Sequence, residues 1–161
     1  MNLRIACITI ICLNATSAAV LASPTPSPST IEQRSQEVMP FSMSEAMHMF
    51  TTTSTGGVQE IMVHDGNPQQ ISLVRQHLRH QATAFAHGDF SNPAYIHGNN
   101  MPGLKQLEAG YTRMAVAYAN TTLGGKITYT SADPSVVSAI HEWFQAQTRD
   151  HGHHAMMNCK T

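Results

Sequence analysis

The sequence predicts an α+β fold, a two-layer sandwich in which helices cover an antiparallel sheet. Two hairpin signals support this prediction, because strand-like runs rich in β-branched and aromatic residues flank Gly56-Gly57 and Gly124-Gly125. Each pair of runs is followed by an amphipathic helical pattern, so the order strand, turn, strand, helix occurs twice as a ββα pseudo-repeat. Two such halves can pair into one sheet with both long helices on the same face.

Two segments precede the first hairpin and differ from it in composition. Residues 1–22 contain Arg4, an apolar run and then small residues, which is typical of a signal peptide cleaved near Ala22. The apolar run is too short to span a membrane, so we expect a periplasmic or secreted protein with no membrane insertion after cleavage. Residues 23–38 are rich in Pro, Ser and Thr and are predicted to form a disordered leader.

Residues 39–152 are predicted to form a single α+β domain, and a proline marks where each of its helices begins. Asn67-Pro68 begins a long helix, Pro102 begins a short one, and Asp133-Pro134 begins the last. The first long helix has an apolar face made of Ile71, Val74, Leu78, Ala82 and Phe85. The last helix has an apolar stripe made of Val137, Ile140, Phe144 and Thr148. The polar face of the first long helix carries three histidines that are predicted to be solvated: His77, His80 and His87.

The composition excludes some functions and suggests another. Only 12% of the residues are charged and the formal net charge is −1, so the chain offers no basic surface to nucleic acid. The sequence contains no phosphate-binding loop, dinucleotide fingerprint or Gly-x-Ser-x-Gly elbow, and we expect a protein without catalytic activity. Ten histidines and ten methionines are the unusual feature, and their side chains are metal donors.

The end of the chain has the highest density of such donors. Residues 153–161 are predicted to form a flexible tail, which begins just after His151 and carries His153, His154, Met156, Met157 and Cys159. Imidazole, thioether and thiolate together favour copper, with zinc or haem as alternatives. A flexible terminus binds without geometric selection, so the tail can equally lack a specific site. Cys159 is the only cysteine left after signal cleavage, which makes it a dimer link, an oxidised end or a metal ligand.

A second candidate set consists of histidines in the folded part, namely His48, His97, His141 and His151. His48 shares a strand face with Phe50, and His141 lies beside the apolar stripe of the last helix, so both are expected to point into the layer between helices and sheet. His151 ends the last helix next to Asp150, a carboxylate that could orient a ring nitrogen. Convergence of two or three rings would make a metal site, whereas the alternative is that each ring is satisfied separately by a backbone carbonyl.

Methionines near the first strand form a further soft-donor cluster, with Met39, Met43, Met47 and Met49 around His48. If this segment is a strand, Met47 and Met49 share one face while His48 and Phe50 share the other. The cluster is a copper hypothesis, and its alternative is that methionine fills gaps in the core.

Several segments of the chain resemble a family of small exported bacterial proteins that often carry the label aspartate carbamoyltransferase. The similar segments lie between residues 38 and 152 and include MPFSMSEAMHMF, GGVQEIM, HLRHQATAFAHGDF, IHGNNMPGL, ITYTSADP and HEWFQAQTRDHG. The resemblance implies an exported protein, and it carries no established function.

The carbamoyltransferase label has a chemical requirement that this sequence does not meet. Carbamoyltransferases hold carbamoyl phosphate with a Ser-Thr-Arg-Thr motif at a helix start, where backbone N–H groups and an arginine meet the phosphate. The helix starts here are Asn67-Pro68, Met101-Pro102 and Asp133-Pro134, in which each proline removes a donor. We therefore expect an exported metal-binding protein, with copper favoured. The alternative is a protein-interaction module whose histidines are incidental or tune binding with pH.

Overall fold

The computed structural model describes residues 25–159, of which Cys159 is described by its backbone alone. The proposed signal peptide at residues 1–22 lies outside the described residues. Five helices are present in this part of the chain: α1 (Pro28–Val38), α2 (Pro68–Ala86), α3 (Ser91–His97), α4 (Leu104–Gly110) and α5 (Pro134–His151). The strands are β1 (Ala46–Thr53), β2 (Gly56–Val63), β3 (Ala115–Thr121), β4 (Gly124–Thr130) and β5 (Ala155–Cys159). None of the helices described is long and apolar enough to cross a membrane.

The strands form one sheet in the order β3-β4-β2-β1-β5, which confirms the α+β fold with helices covering a sheet. The two predicted hairpins are β1–β2 and β3–β4, and they join through antiparallel pairing of β2 with β4. The sheet is mixed rather than purely antiparallel, because β5 pairs with β1 in parallel. A parallel neighbour requires a crossover through a helix, and here α5 lies between the hairpins and β5.

The two long helices cover the same face of the sheet. A Cβ atom built on Gly57 would lie 2.5 Å from the ring of Phe144 on α5, and one on Gly125 would lie 3.3 Å from Leu78 on α2. Gly57 and Gly125 lie on the same side of the sheet, since the register pairs Gly57 with Tyr129, four residues along β4 from Gly125. These glycines therefore allow close helix–sheet approach. The turns themselves are Ser54-Thr55 and Thr122-Leu123, so each predicted Gly-Gly turn is the start of a strand instead.

Both long helices begin as the sequence predicts. The Asn67 side chain accepts hydrogen bonds from the N–H groups of Gln69 and Gln70, and Asp133 accepts one from Ser135. All five residues of the predicted apolar face of α2 are buried. The buried face of α5 is broader than its predicted stripe, because α4 packs against this helix in addition to the sheet. It includes Val136, Ala139, Trp143, Ala146 and Gln147 beside the expected Ile140 and Phe144.

The leader is ordered, contrary to the prediction for residues 23–38. Its residues 28–38 form α1, which Ser27 caps and which packs on α3 and α5. Ile31 and Ser35 are buried, and the Arg34 guanidinium donates a hydrogen bond to the carbonyl of Tyr95 at 2.9 Å. A helix of this length needs only one narrow apolar stripe to dock, and average composition does not reveal such a stripe.

The tail is also ordered over its described part, contrary to the prediction for residues 153–161. Gly152–His154 form a 3₁₀ turn, and Ala155–Cys159 then add β5 to the free edge of β1. Backbone hydrogen bonds hold this strand, and they depend on an available edge rather than on particular side chains. The folded domain therefore extends beyond Gly152.

Candidate functional site

Three of the four histidines predicted to converge do meet beneath the covered face of the sheet. His48 projects from β1, His97 is the last residue of α3, and His151 is the last residue of α5. Their exposed fractions are 1%, 3% and 7%. The ring centroids of His48 and His151 are 5.0 Å apart with the planes parallel to within 6°, and those of His151 and His97 are also 5.0 Å apart at 88°.

The nitrogen atoms of these rings are largely without protein partners. Nδ1 of His97 lies 3.0 Å from a carboxylate oxygen of Asp150. Both nitrogens of His48 and Nε2 of His151 are buried and make no hydrogen bond to any described residue. The backbone of His154 lies close to the His48 ring and favours the protonated form of that ring. Neither ring nitrogen of His48 makes a hydrogen bond of good geometry with it. Buried polar atoms are nearly always satisfied in proteins, so the unsatisfied imidazole nitrogens make this cluster the candidate site.

Burial determines the protonation state of the cluster. The pKa of His48 is lowered to about 3, mainly by loss of solvation and in part by the neighbouring imidazoles of His77, His154 and His97. The pKa of His151 is held well below its ordinary value, first by burial and then by His48, His97 and His154. Both rings are therefore neutral at physiological pH, which is the form that coordinates metal.

Two of the three ring pairs are spaced like ligands of one tetrahedral ion. With metal–nitrogen bonds of about 2.0 Å, each imidazole centroid lies about 3.2 Å from the ion, and two ligating rings have centroids about 5.2 Å apart. The centroid of His151 lies 5.0 Å from that of His48 and 5.0 Å from that of His97. Within residues 25–159, no three His, Cys, Asp or Glu side chains already point their donor atoms at one position. Because the parallel planes of His48 and His151 cannot share one ion, coordination requires the imidazoles to reorient.

A cleft of about 420 Å³ reaches the cluster from the side of α1. Its apolar lining includes Ile31 and Met43, and its polar lining includes Asp150, His151 and His154. His154 is half-buried and its ring lies 3.9 Å, centroid to centroid, from that of the exposed His153. The cleft gives an ion or small ligand a route to His151, with His154 beside that route.

His141, the fourth predicted member, lies elsewhere, so its inclusion in the cluster is wrong. Its Nε2 donates to the carbonyl oxygens of Gly56 at 2.9 Å and Thr53 at 3.1 Å, at the turn of the first hairpin. Here the alternative interpretation applies, because backbone carbonyls satisfy the ring. His141 connects α5 to the β1–β2 turn.

The sulfur donors of the tail do not join the histidines. Met156 lies on the opposite, uncovered face of the sheet and is 52% exposed, whereas Met157 packs against the core. Cys159 pairs with Thr52 at the end of β5, and its side chain lies outside the described residues. The predicted metal donors whose side chains are described are therefore divided among different places in the fold.

Two nearby residues have roles that the sequence analysis did not assign. Asp150 was expected to orient His151, its chain neighbour, but it pairs with His97 across 53 residues of sequence. His77 was expected to be solvated with His80 and His87, and only the latter two are exposed. His77 is half-buried with its ring edge-on to Phe41 at 5.5 Å, and burial lowers its pKa to about 4. The helical spacing could not reveal this contact, because Phe41 comes from the segment before β1.

No family model, curated protein or solved structure was found to match the chain. A function can therefore be inferred only from the chemistry of the site.

Proposed function

We propose that this chain is an exported, non-catalytic protein that binds one transition metal ion, copper in preference to zinc, at His48, His97 and His151. The observation that carries the proposal is the convergence of three buried rings, in which the centroids of His48 and His97 each lie 5.0 Å from that of His151. Three nitrogen atoms of these rings have no partner among the described residues. Half-buried His154, at the mouth of the cleft, is available as a fourth ligand. This set is not the one predicted from sequence, because it excludes His141.

The pair of His97 with Asp150 supports a metal role for this ring. Histidines that bind metals commonly donate their other N–H to a carboxylate, which fixes the tautomer and makes the free nitrogen a better donor. With the proton on Nδ1 facing Asp150 at 3.0 Å, Nε2 of His97 is left as the lone-pair donor. Imidazole ligands suit both copper and zinc, and copper binds more tightly to a given set of nitrogen donors.

The test is a titration of the mature protein with Cu(II) and with Zn(II) against a competing chelator, followed by elemental analysis after desalting. We expect one equivalent of metal. His151→Gln should weaken binding by more than about 100-fold, since loss of even an outer partner of a ligand costs 10- to 100-fold. His80→Gln is the matched control, because His80 is an exposed histidine on α2. Equal affinities for the native protein and His151→Gln would refute the site.

The dependence of affinity on pH separates the buried cluster from a surface chelator. Three exposed imidazoles with ordinary pKa values lose about 50-fold in affinity between pH 7.5 and pH 6, because protons compete with the metal. The lowered pKa values of His48 and His151 remove most of this competition, so we expect a change of less than about fivefold. A decrease close to 50-fold would assign the metal to exposed histidines such as His153.

A second candidate function, a protein-interaction module, is favoured by the edge strand β3. This strand pairs only with β4, and Ala115, Ala117 and Ala119 are exposed along it. An edge with small side chains can accept a strand from a second copy of the chain. We expect a dimer in sedimentation equilibrium that Ala117→Lys weakens if this candidate is correct, because a lysine on an edge strand opposes pairing with a second chain while the backbone of Ala117 keeps its ladder with β4. A protein that remains monomeric and binds one metal ion would eliminate it, and Cys159→Ser distinguishes a strand-paired dimer from a disulfide-linked one.

A further inference from the structure

The uncovered face of the sheet carries a group of methionines that the histidine site does not use. Side chains alternate along β1, so His48 and Phe50 enter the covered face while Met47 and Met49 lie on the other side. This is the alternation expected from the sequence. Met47 and Met49 are both half-buried, whereas His48 and Phe50 are fully buried.

Two more methionines lie directly beside these on the neighbouring strands. Met62 of β2 is the register partner of Met47, and Met156 of β5 is the register partner of Met49. Register partners share a face, so four thioether side chains occupy adjacent positions on three strands. Neighbouring strands are about 4.8 Å apart and alternate residues about 6.6 Å apart, which places diagonal members of the group about 8 Å apart at their Cα atoms.

These methionines do not serve the usual structural purpose of the residue. Met39, Met43 and Met157 pack against the hydrophobic core, and Met101 and Met114 belong to it. Met47, Met49 and Met62 are neither part of the core nor packed on it, and Met156 is 52% exposed. Filling of core gaps therefore does not explain why four methionines occur together on this face.

We propose that Met47, Met49, Met62 and Met156 form a Cu(I) site on the open face of the sheet, separate from the histidine cluster. Thioethers are soft, uncharged ligands that select Cu(I) over divalent ions such as zinc. Each methionine has three rotatable bonds beyond its Cα, so the sulfur atoms of three neighbouring methionines can reach a common ion from Cα positions about 8 Å apart. Met62 and Met156 lie on opposite sides of β1 with Cα atoms about 12 Å apart, so each is expected to bind together with Met47 and Met49. Glu60, the register partner of Met49 on β2, lies beside the group, and its own register partner on β4 is Lys126.

This site has properties that the histidine site lacks. Thioethers bind no proton in the physiological range, so Cu(I) affinity at the methionines should not change with pH. The two donor sets lie on opposite faces of the same sheet, so a substitution in one does not remove ligands from the other. The inference is independent of the proposed histidine site, and either can fail without the other.

The experiment is an anaerobic titration of the mature protein with Cu(I), in the presence of a reductant and a competing chelator. It compares the native chain with a variant in which four methionines are changed to leucine: Met47, Met49, Met62 and Met156. Leucine conserves volume and removes only the sulfur, so the fold is the least disturbed. We expect the variant to lose more than about 100-fold in Cu(I) affinity while its Zn(II) affinity is unchanged, since loss of a single outer partner already costs 10- to 100-fold. The matched control, Met101→Leu with Met114→Leu, should bind Cu(I) as the native protein does.

Methyl NMR of methionine gives a second reading that does not require the variant to fold. Cu(I), and Ag(I) as its redox-inactive analogue, should shift the ε-methyl signals of these four methionines and leave those of Met101 and Met114 unmoved. Unchanged Cu(I) affinity in the leucine variant, or metal-induced shifts confined to other methionines, would overturn the proposal. Loss of Cu(I) binding in His151→Gln but not in the leucine variant would also overturn it, and would place Cu(I) at the histidine cluster.

Discussion

Acidification from pH 7 to pH 5 should destabilise the metal-free protein by about 4 kcal/mol through two buried histidines, His48 and His151. In the unfolded chain an imidazole has a pKa of about 6.5 and is almost fully protonated at pH 5. In the folded chain the pKa of His48 is about 3, and that of His151 is also well below its ordinary value, so both remain neutral. The unfolded state then binds more protons, and linkage lowers the free energy of unfolding by about 2 kcal/mol for each ring.

The sign and the pH window follow from the same values. Stability is complete above the unfolded pKa of about 6.5 and is lost as the pH falls toward the folded values. Asp89 and Asp133 contribute little to this window, because hydrogen bonds from serines lower their pKa values and both stay ionised at pH 5. The rings of His77, His154 and His97 are among the causes of the low pKa of His48. Half-buried His77, whose own pKa burial lowers to about 4, adds a smaller contribution of the same sign.

The assay is urea unfolding at pH 7, 6 and 5 with a chelator present, because a bound metal would hold the rings neutral. A loss of about 4 kcal/mol is a large part of the free energy of unfolding of a typical domain, which is about 5–15 kcal/mol. The urea concentration at the midpoint of unfolding should therefore fall strongly between pH 7 and pH 5. His151→Gln should remove about 2 kcal/mol of this dependence on pH, and the exposed control His80→Gln should keep it. If the free energy of unfolding changes by less than about 1 kcal/mol between pH 7 and pH 5, the burial argument is wrong.

Three further substitutions test the fold, each by its urea midpoint. Replacing His141 with alanine removes the hydrogen bonds to two hairpin carbonyls and should cost about 1–3 kcal/mol while leaving metal affinity unchanged; a loss of metal would return this ring to the site. Asn67→Ala should cost about 1 kcal/mol by removing the cap of α2, and Asn67→Ser should restore most of it. Gly103→Ala should cost at least about 2 kcal/mol, because φ is +78° and a Cβ would lie 2.2 Å from a carbonyl oxygen of α5. Gly152→Ala should cost less, because Gly152 also has a positive φ but no described atom lies within 4 Å of a Cβ built there. Equal costs for the two variants would show that the clash at Gly103 is irrelevant.

The hairpins and long helices could be predicted because their signals are local. A Gly-Gly turn, a capping side chain and a proline at the first helical position each act within a few residues of chain. The structure also shows why those glycines are needed: at Gly57 a Cβ would lie 2.5 Å from Phe144 and 2.9 Å from the carbonyl of Thr51. The sequence indicated a turn there, but the contact with α5 depends on packing between distant segments.

The leader and the tail could not be predicted because docking, not composition, orders them. α1 buries only Ile31 and Ser35, which gives too weak an apolar signal for a helix. β5 is held by the backbone of β1, so any chain of suitable length that follows α5 would suit the edge. The position of His141 could not be predicted for a related reason, because the carbonyl groups that accept its hydrogen bonds lie 88 and 85 residues away along the chain.

The alternation of β1 explains why nitrogen and sulfur donors are separated in this protein. His48 enters the covered face, where burial keeps imidazole neutral, while Met47 and Met49 face solvent, where thioethers need no protection from protonation. The C-terminal segment repeats the division, because His151 lies just before β5 on the covered side and Met156 lies within it on the open side. Docking of β5 on β1 therefore places Met156 beside Met49, while His151, which ends α5 shortly before this strand, stacks on His48 on the covered side.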